Sequence, residues 1–213
     1  MTPPNPASRS RRVVITGLGA VTPVGNDVPS TWESLLAGRS GIGHITLFDT
    51  SKFDVDIAAE VKGFEPVSLP AKEARRMDRY ARFGAVAALE ALRDAGISLE
   101  GPLGPPAGVV FGAGSGGYIL LEEQARILRD SGPRRVSPFF LTNVLPDAIS
   151  GHIAILSGAM GPNMAVVAAC ATGSAAIGEA AEIIRRGDAE IMIAGGAEAP
   201  INETLYGAFY AMR

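Results

Sequence analysis

Asn163-Met-Ala-Val-Val-Ala-Ala-Cys-Ala-Thr-Gly-Ser174, running on to Arg186, is the stretch that decides the fold. A short apolar β-type run, Met164 to Val167, stops at small residues, presents Cys170 and turns through Gly173 into a helix. Along that helix Ala176, Ile177, Ala180, Ala181, Ile183 and Ile184 recur at helical spacing, while Glu179, Glu182, Arg185 and Arg186 take the other face. The pattern predicts a strand, a turn and a helix, with a thiol at the turn. A sulfur placed there faces the unpaired N–H groups and positive dipole end of the helix, a setting that favours the nucleophilic thiolate form. Ala168, Ala169, Ala171 and Gly173 would let a substrate approach and let the helix pack closely on its strand. A buried structural cysteine is the competing reading, and the residues of this stretch alone leave both open.

Working outward, the chain alternates strand-like and helix-like segments. Val13-Val-Ile-Thr16 predicts a buried parallel strand, followed by the glycine-rich loop Gly17 to Gly25. Its Gly-x-Gly lacks the third glycine of a dinucleotide-binding turn and has Pro23 where the helix should begin, which argues against such a site. Ser30 reads as an N-cap with Glu33 three residues on, opening a helix that runs to Leu36 and ends at Gly38. Leu69 to Ala95 carries Lys72, Arg75, Arg76, Arg79, Arg82 and Arg93 and leads into a long helix; its charges suit either a solvated face or a docking patch. Ala107 to Gly112 predicts another buried strand, followed by Gly114-Ser-Gly-Gly117 and a helix from Tyr118 to Leu128. Leu141 to Leu156 reads as a helix with Pro146 in or near its first turns, and Ala189 to Glu198 as a buried strand ending in small residues. Such alternation implies βαβ units: an α/β fold with a layered, mixed but mostly parallel sheet and helices on both faces.

The composition narrows the functional classes. Across 213 residues 47% are hydrophobic, 19% charged and 6% aromatic, with 26 glycines, so the core is built of small aliphatic side chains. A formal net charge of −3 gives no global pull toward nucleic acid or an anionic membrane. A single cysteine excludes an internal disulfide framework and a cysteine-based metal site, and fits a reducing cytoplasm. There is no apolar run long enough for a transmembrane span. Residues 1–12 are basic and proline-rich without an apolar core, and read as a disordered tail ahead of a unit spanning 13–213.

Ala-Ala-Cys170-Ala-Thr-Gly-Ser resembles the active-site elbow of β-ketoacyl-acyl carrier protein synthases of the elongating type II kind, departing from the commoner pattern at Ala168, where Thr is usual. Arg12-Val-Val-Ile-Thr-Gly-Leu-Gly-Ala-Val-Thr-Pro-Val-Gly25 and Trp32-Glu-Ser-Leu-Leu-Ala-Gly-Arg-Ser-Gly-Ile42 resemble the opening of the same family, and Glu190-Ile-Met-Ile-Ala-Gly-Gly-Ala-Glu198 a later segment of it. The resemblance implies a thiolase-like fold of two related halves, of which this sequence matches nearly all of the first, without that half's last strand. It implies an acyltransferase of fatty-acid or polyketide synthesis that condenses an acyl thioester with malonyl-carrier through a Cys170 acyl-enzyme. It further implies Ser115, Phe140 and Phe209 at the acyl pocket, and Arg75, Arg76 and Arg213 facing an acyl carrier protein. No metal or separate cofactor is expected, the substrates riding on the carrier's phosphopantetheine. A homodimer paired through the strand before the cysteine is expected, or else a missing C-terminal half.

Both histidines of the family's reaction lie in motifs of the second half, Asn-x-His-Gly-Thr and Lys-x-x-x-Gly-His, and neither motif occurs in these residues. The two histidines present are His44, in a loop, and His152, at a place the family keeps non-catalytic. Cys170 is thus the one catalytic residue the resemblance transfers, with its own amide as an oxyanion donor, and the sequence as given is expected to be inactive in condensation alone. Two alternatives stand beside this reading: a non-catalytic partner resembling a chain-length factor, against which the retained cysteine argues, and a truncated remnant.

Overall fold

The computed structural model describes residues 11–97, 101–104 and 106–212. In chain order its elements are α1 (Val28–Leu36), β1 (Gly43–His44), β2 (Ile57–Ala58), α2 (Ala71–Ala74), α3 (Arg79–Asp94), β3 (Ala107–Gly112), α4 (Tyr118–Ser131), α5 (Leu141–Val144), α6 (Ala148–Ser157), β4 (Asn163–Met164), α7 (Thr172–Arg186), β5 (Ile191–Gly196) and α8 (Glu203–Met212). The central sheet runs β4-β3-β5, parallel throughout, with Val109 opposite Asn163 and Ile193. A separate antiparallel ribbon joins β1 to β2.

β3 is buried at every position, as a central parallel strand must be. Strand residues alternate between faces, and the two faces build two cores. Val109, Phe111 and Ile193 pack with Tyr80, Ala85, Leu92, Ile149 and Ile153 from α3 and α6. Val110, Met192 and Ala194 pack with Ala176, Ala180 and Ile183 from α7. Helices therefore cover both faces, as the alternating pattern predicts. The small residues matter here: a Cβ on Gly84 of α3 would lie 2.2 Å from Cδ1 of Ile149, so only glycine lets α3 and α6 meet at that point.

Several local expectations need correction. Val13 to Thr16 forms no strand. The segment lies along α3, its Leu18 and Ala20 amides donate to Asp94 and Glu90 rather than to a neighbouring strand, and a cleft separates it from β5. Ser30 is not the cap of α1: the Asp27 carboxylate accepts from the Ser30 amide at 2.8 Å, and Pro29 sits in the first turn where no N–H is needed. The basic stretch breaks between α2 and α3, where Asp78 caps α3 and also accepts from Leu120 N at 2.9 Å. Pro146 divides the expected helix into α5 and α6, since it offers no amide and forces the preceding residue extended. The strand before the cysteine is laddered only at Asn163 and Met164, not through Val167.

Candidate functional site

Cys170 lies in a single 3-10 turn, Ala169–Ala171, that feeds directly into α7. Ala169 has φ +47°, the left-handed region that costs a residue bearing a Cβ about 1–2 kcal/mol. Thr172 holds that turn: its buried Oγ1 accepts from Ala168 N at 2.9 Å and donates to Ala169 O at 2.8 Å. Glycines let the backbone close around it. A Cβ on Gly112 would stand 2.0 Å from Val166 O, and one on Gly196 would stand 3.0 Å from the Gly173 backbone. The end of β3, the approach to the cysteine, the end of β5 and the first turn of α7 thus converge. The result is an exposed thiol at the head of a helix of 15 residues, with the Cys170 amide donating to no described residue.

The Gly114 to Gly117 loop continues from β3 onto this turn. A Cβ on Gly114 would lie 3.1 Å from Ala169 O, which fixes the loop against the residue before the cysteine. The Glu198 carboxylate accepts from Ser115 N at 2.9 Å, tying the loop to the residues just past β5. Ser115 Oγ is buried and has no partner among the described residues. Farther along, Gly117 N donates to Val144 O at 3.0 Å, so the loop also contacts the α5 end.

Phe139 and Phe140 open α5, and buried Asn143 holds that turn by donating to Phe139 O at 2.8 Å. With its amide committed as donor, Asn143 presents Oδ1 as acceptor to His152 Nε2 at 2.7 Å, which assigns the proton to that nitrogen. Burial holds the His152 imidazole below its ordinary pKa, against an opposing pull from Glu73. His152 is therefore engaged in holding Asn143. Arg76 stacks over the Phe139 ring, 4.5 Å from its centre, and Arg75 is exposed beside it. Arg79 and Arg82 are turned inward to Val61 O and Met77 O.

Of the residues singled out from sequence, the structure brings the Ser115 loop to the cysteine, and joins Arg76 to the Phe139–Phe140 turn. Phe209 is 68% exposed on α8, whose Tyr206 and Tyr210 hydroxyls anchor to Val55 and Asp54. Arg213 lies outside the described residues. Sequence reading missed Thr172, Glu198 and the strained Ala169. Thr172 and Glu198 do fall inside the matching motifs, but only the folded contacts show what they hold. Among the described residues no group of acidic, histidine and cysteine side chains could hold a metal ion, and no helix is long and apolar enough to cross a membrane.

The family described as "Beta-ketoacyl synthase, N-terminal domain" matches residues 10–213. The chain belongs to the β-ketoacyl synthase family. Among its curated relatives is 3-oxoacyl-[acyl-carrier-protein] synthase 2 of Staphylococcus aureus (strain N315), 48% identical over 207 residues, which cover 97% of this chain and 50% of the relative. The ishigamide ketosynthase/chain length factor superposes with a TM-score of 0.81 at 30% identity, over 95% of this chain and 51% of the other. A type II polyketide ketosynthase bound to its acyl carrier protein, AntDE:AntF, superposes with a TM-score of 0.74 at 26% identity, over 92% and 53% respectively. The fold is accordingly the thiolase-like α/β fold of ketosynthases, and the chain spans about half the length of the curated relatives it matches.

Proposed function

We propose that this β-ketoacyl synthase chain supplies the nucleophile of a decarboxylative condensation between an acyl thioester and malonyl-carrier in fatty-acid or polyketide synthesis. The observation that carries the reading is the exposed Cys170 thiol on a strained, Thr172-stapled turn at the head of α7. Cys170 Sγ, as thiolate, attacks the thioester carbonyl carbon. Negative charge gathers on the carbonyl oxygen, where the free Cys170 amide can donate. The bond to the carrier's phosphopantetheine sulfur then breaks, that sulfur takes a proton, and the acyl group stays on Cys170. Malonyl-carrier next loses carbon dioxide, its carbanion attacks the acyl carbon, and Cys170 leaves as thiolate. The sequence contains only His44 and His152, outside the family's histidine motifs, so these residues supply the nucleophile and not the family's histidine support for decarboxylation.

Ser115 and Phe140 border the acyl chain in this reading, with Phe209 as a further wall, and no separate cofactor is needed. Arg75 and Arg76, with Arg213, face the acidic carrier. The AntDE:AntF complex, a ketosynthase holding its acyl carrier protein, supports that partner. The outer edge of β4 is open among the described residues, which supports pairing with a second copy. A cytoplasmic setting agrees with the single free thiol. A chain-length-factor role is the second reading, favoured by the likeness to the ishigamide pair and opposed by the retained Cys170.

Intact-mass spectrometry after exposure to cerulenin, a covalent inhibitor of these synthases, tests the proposal. One adduct on the wild type and none on Cys170→Ser is expected. An adduct that persists in Cys170→Ser, or labelling no faster than that of an unstructured thiol, would remove Cys170 from the role.

A further inference from the structure

α8 is held by neither core. None of its residues belongs to the clusters on the two sheet faces, and none is buried. Its first turn is tied to α4. Thr204 Oγ1 donates to Glu122 Oε1 at 2.7 Å, and Asn202, which accepts from Leu205 N at 3.0 Å, donates through Nδ2 to Tyr118 O at 3.4 Å. The remaining side-chain bonds of α8 among the described residues all run to residues 52–57, between β1 and β2 and at the start of β2.

Tyr206 and Tyr210 stand one turn apart on the same face. The Phe53 ring meets both edge-on, its centre 5.2 Å and 5.4 Å from theirs at 84° and 87°. Phe48 backs Phe53 and Tyr206 at 6.0 Å and 5.6 Å. Rings at these separations prefer such edge-to-face geometry, which favours one seating of the helix over its neighbours. The hydroxyls close the arrangement: Tyr206 Oη donates to Val55 O at 3.0 Å, and Tyr210 Oη to the Asp54 carboxylate. Lys52 adds an ion pair to Glu203 at 3.3 Å. The base of this loop is itself fixed, since buried Glu60 accepts from Thr46 N, Thr46 Oγ1 and Leu47 N, and Ile45 N donates to Asp56 O.

A helix pinned at its first turn and again along one face is not free to roll about its axis. Phe209 and Met212, three residues apart, share a different face and are both largely exposed. Phe209 pairs with no other ring among the described residues, so its direction follows from the roll of α8. We propose that Tyr206, Tyr210 and Phe53 are positioning residues, a latch that sets the roll of α8 and through it the place of Phe209 beside the acyl chain. The latch stands on the geometry, while its effect on the acyl group rests on the reading that Phe209 walls the site served by Cys170. Freed from the latch, Phe209 samples other directions, and the site discriminates less between short and long acyl groups.

The test compares the full wild-type chain with Phe53→Ala, Tyr210→Phe, Asp54→Asn, Phe209→Ala and the double variant Phe53→Ala/Phe209→Ala. Hydrogen exchange at 203–212 should quicken at least ~10-fold in Phe53→Ala, with 107–112 and 172–186 unchanged. Carriers loaded with butyryl or dodecanoyl groups are then offered to each chain, and mass spectrometry of Cys170 gives the ratio of the two acylation rates. That ratio should move at least ~3-fold toward unity in Phe53→Ala and Tyr210→Phe, and stay within ~2-fold of wild type in Asp54→Asn, which keeps an oxygen for Tyr210 Oη. Tyr210→Phe retains every ring and carries the test should Phe53→Ala fail to fold. The double variant should match Phe209→Ala alone, because the latch acts only through that ring. The proposal is overturned if exchange at 203–212 does not quicken, if the ratio stays put while exchange quickens, if the wild-type ratio is already unity, or if the two substitutions add. A wild-type chain that neither carrier acylates fails the reading of Cys170 as well, whereas wild-type acylation with an unmoved ratio in the variants fails the latch alone.

Discussion

Ala169 holds a conformation that glycine adopts freely, directly before Cys170. Replacing it with glycine relieves about 1–2 kcal/mol of backbone strain and costs about 0.5–1 kcal/mol in lost unfolded-chain restriction. Ala169→Gly should therefore stabilise the chain by about 0–1.5 kcal/mol in urea titration, and slow cerulenin labelling because the turn no longer fixes the thiol. His152 sets a pH dependence. Its folded pKa is depressed, so its contribution to stability is full above the unfolded value of about 6.5 and is lost as pH falls through the folded value. Urea midpoints should drop as pH falls below about 6.5, and His152→Gln, which keeps a donor for Asn143, should flatten that limb. The turn-then-helix setting of Cys170 was legible in sequence, because its small neighbours and the following helix are local features. Ala169's strain and Thr172's two bonds were not, since both arise only when the ends of β3 and β5 close on the turn.

At the scale of elements, the glycine contacts between β3, the Val166 approach and α7 set the position of the thiol. A Cβ on Gly112 collides with the Val166 carbonyl, which is backbone and cannot swing aside. Gly112→Ala should cost about 1–3 kcal/mol and lower the labelling rate of Cys170 more than its stability loss alone accounts for. Tyr80 ties α3 to the α5–α6 break: fully buried, its hydroxyl donates to Leu145 O at 2.8 Å. Tyr80→Phe removes that bond but leaves Leu145 O its bond from Ala148 N at 3.1 Å, and should lower stability by about 0.5–1.5 kcal/mol in denaturant unfolding. β3, β5 and α7 could be read from hydrophobic runs because burial on both faces leaves a strong local signature. The Val13 segment carries the same signature and yet forms no ladder, since a strand needs a hydrogen-bonded neighbour that no local pattern supplies. The break at Pro146 and the cap at Asp27 turned on competition between nearby residues, Pro146 against helix continuation and Asp27 against Ser30, where spacing rules are weakest.

For the whole molecule, the two cores on the sheet faces account for the fold, and the cleft between Val13–Thr22 and β5 leaves apolar side chains uncovered. Val14, Ile15, Leu18 and Ile177 are each at least half exposed, an apolar surface larger than scattered side chains leave. The family and the α/β layering could be read from sequence, because they rest on motifs and alternation; the cleft between Val13–Thr22 and β5 could not, because it is a relation between segments far apart in the chain. Acyl transfer from a carrier to Cys170 is tested by mass spectrometry of the chain after incubation with acyl-loaded acyl carrier protein. A mass gain of one acyl group is expected, mapped to the peptide holding Cys170 and absent from Cys170→Ala. An unmodified wild-type chain, or acylation that survives the substitution, would contradict it.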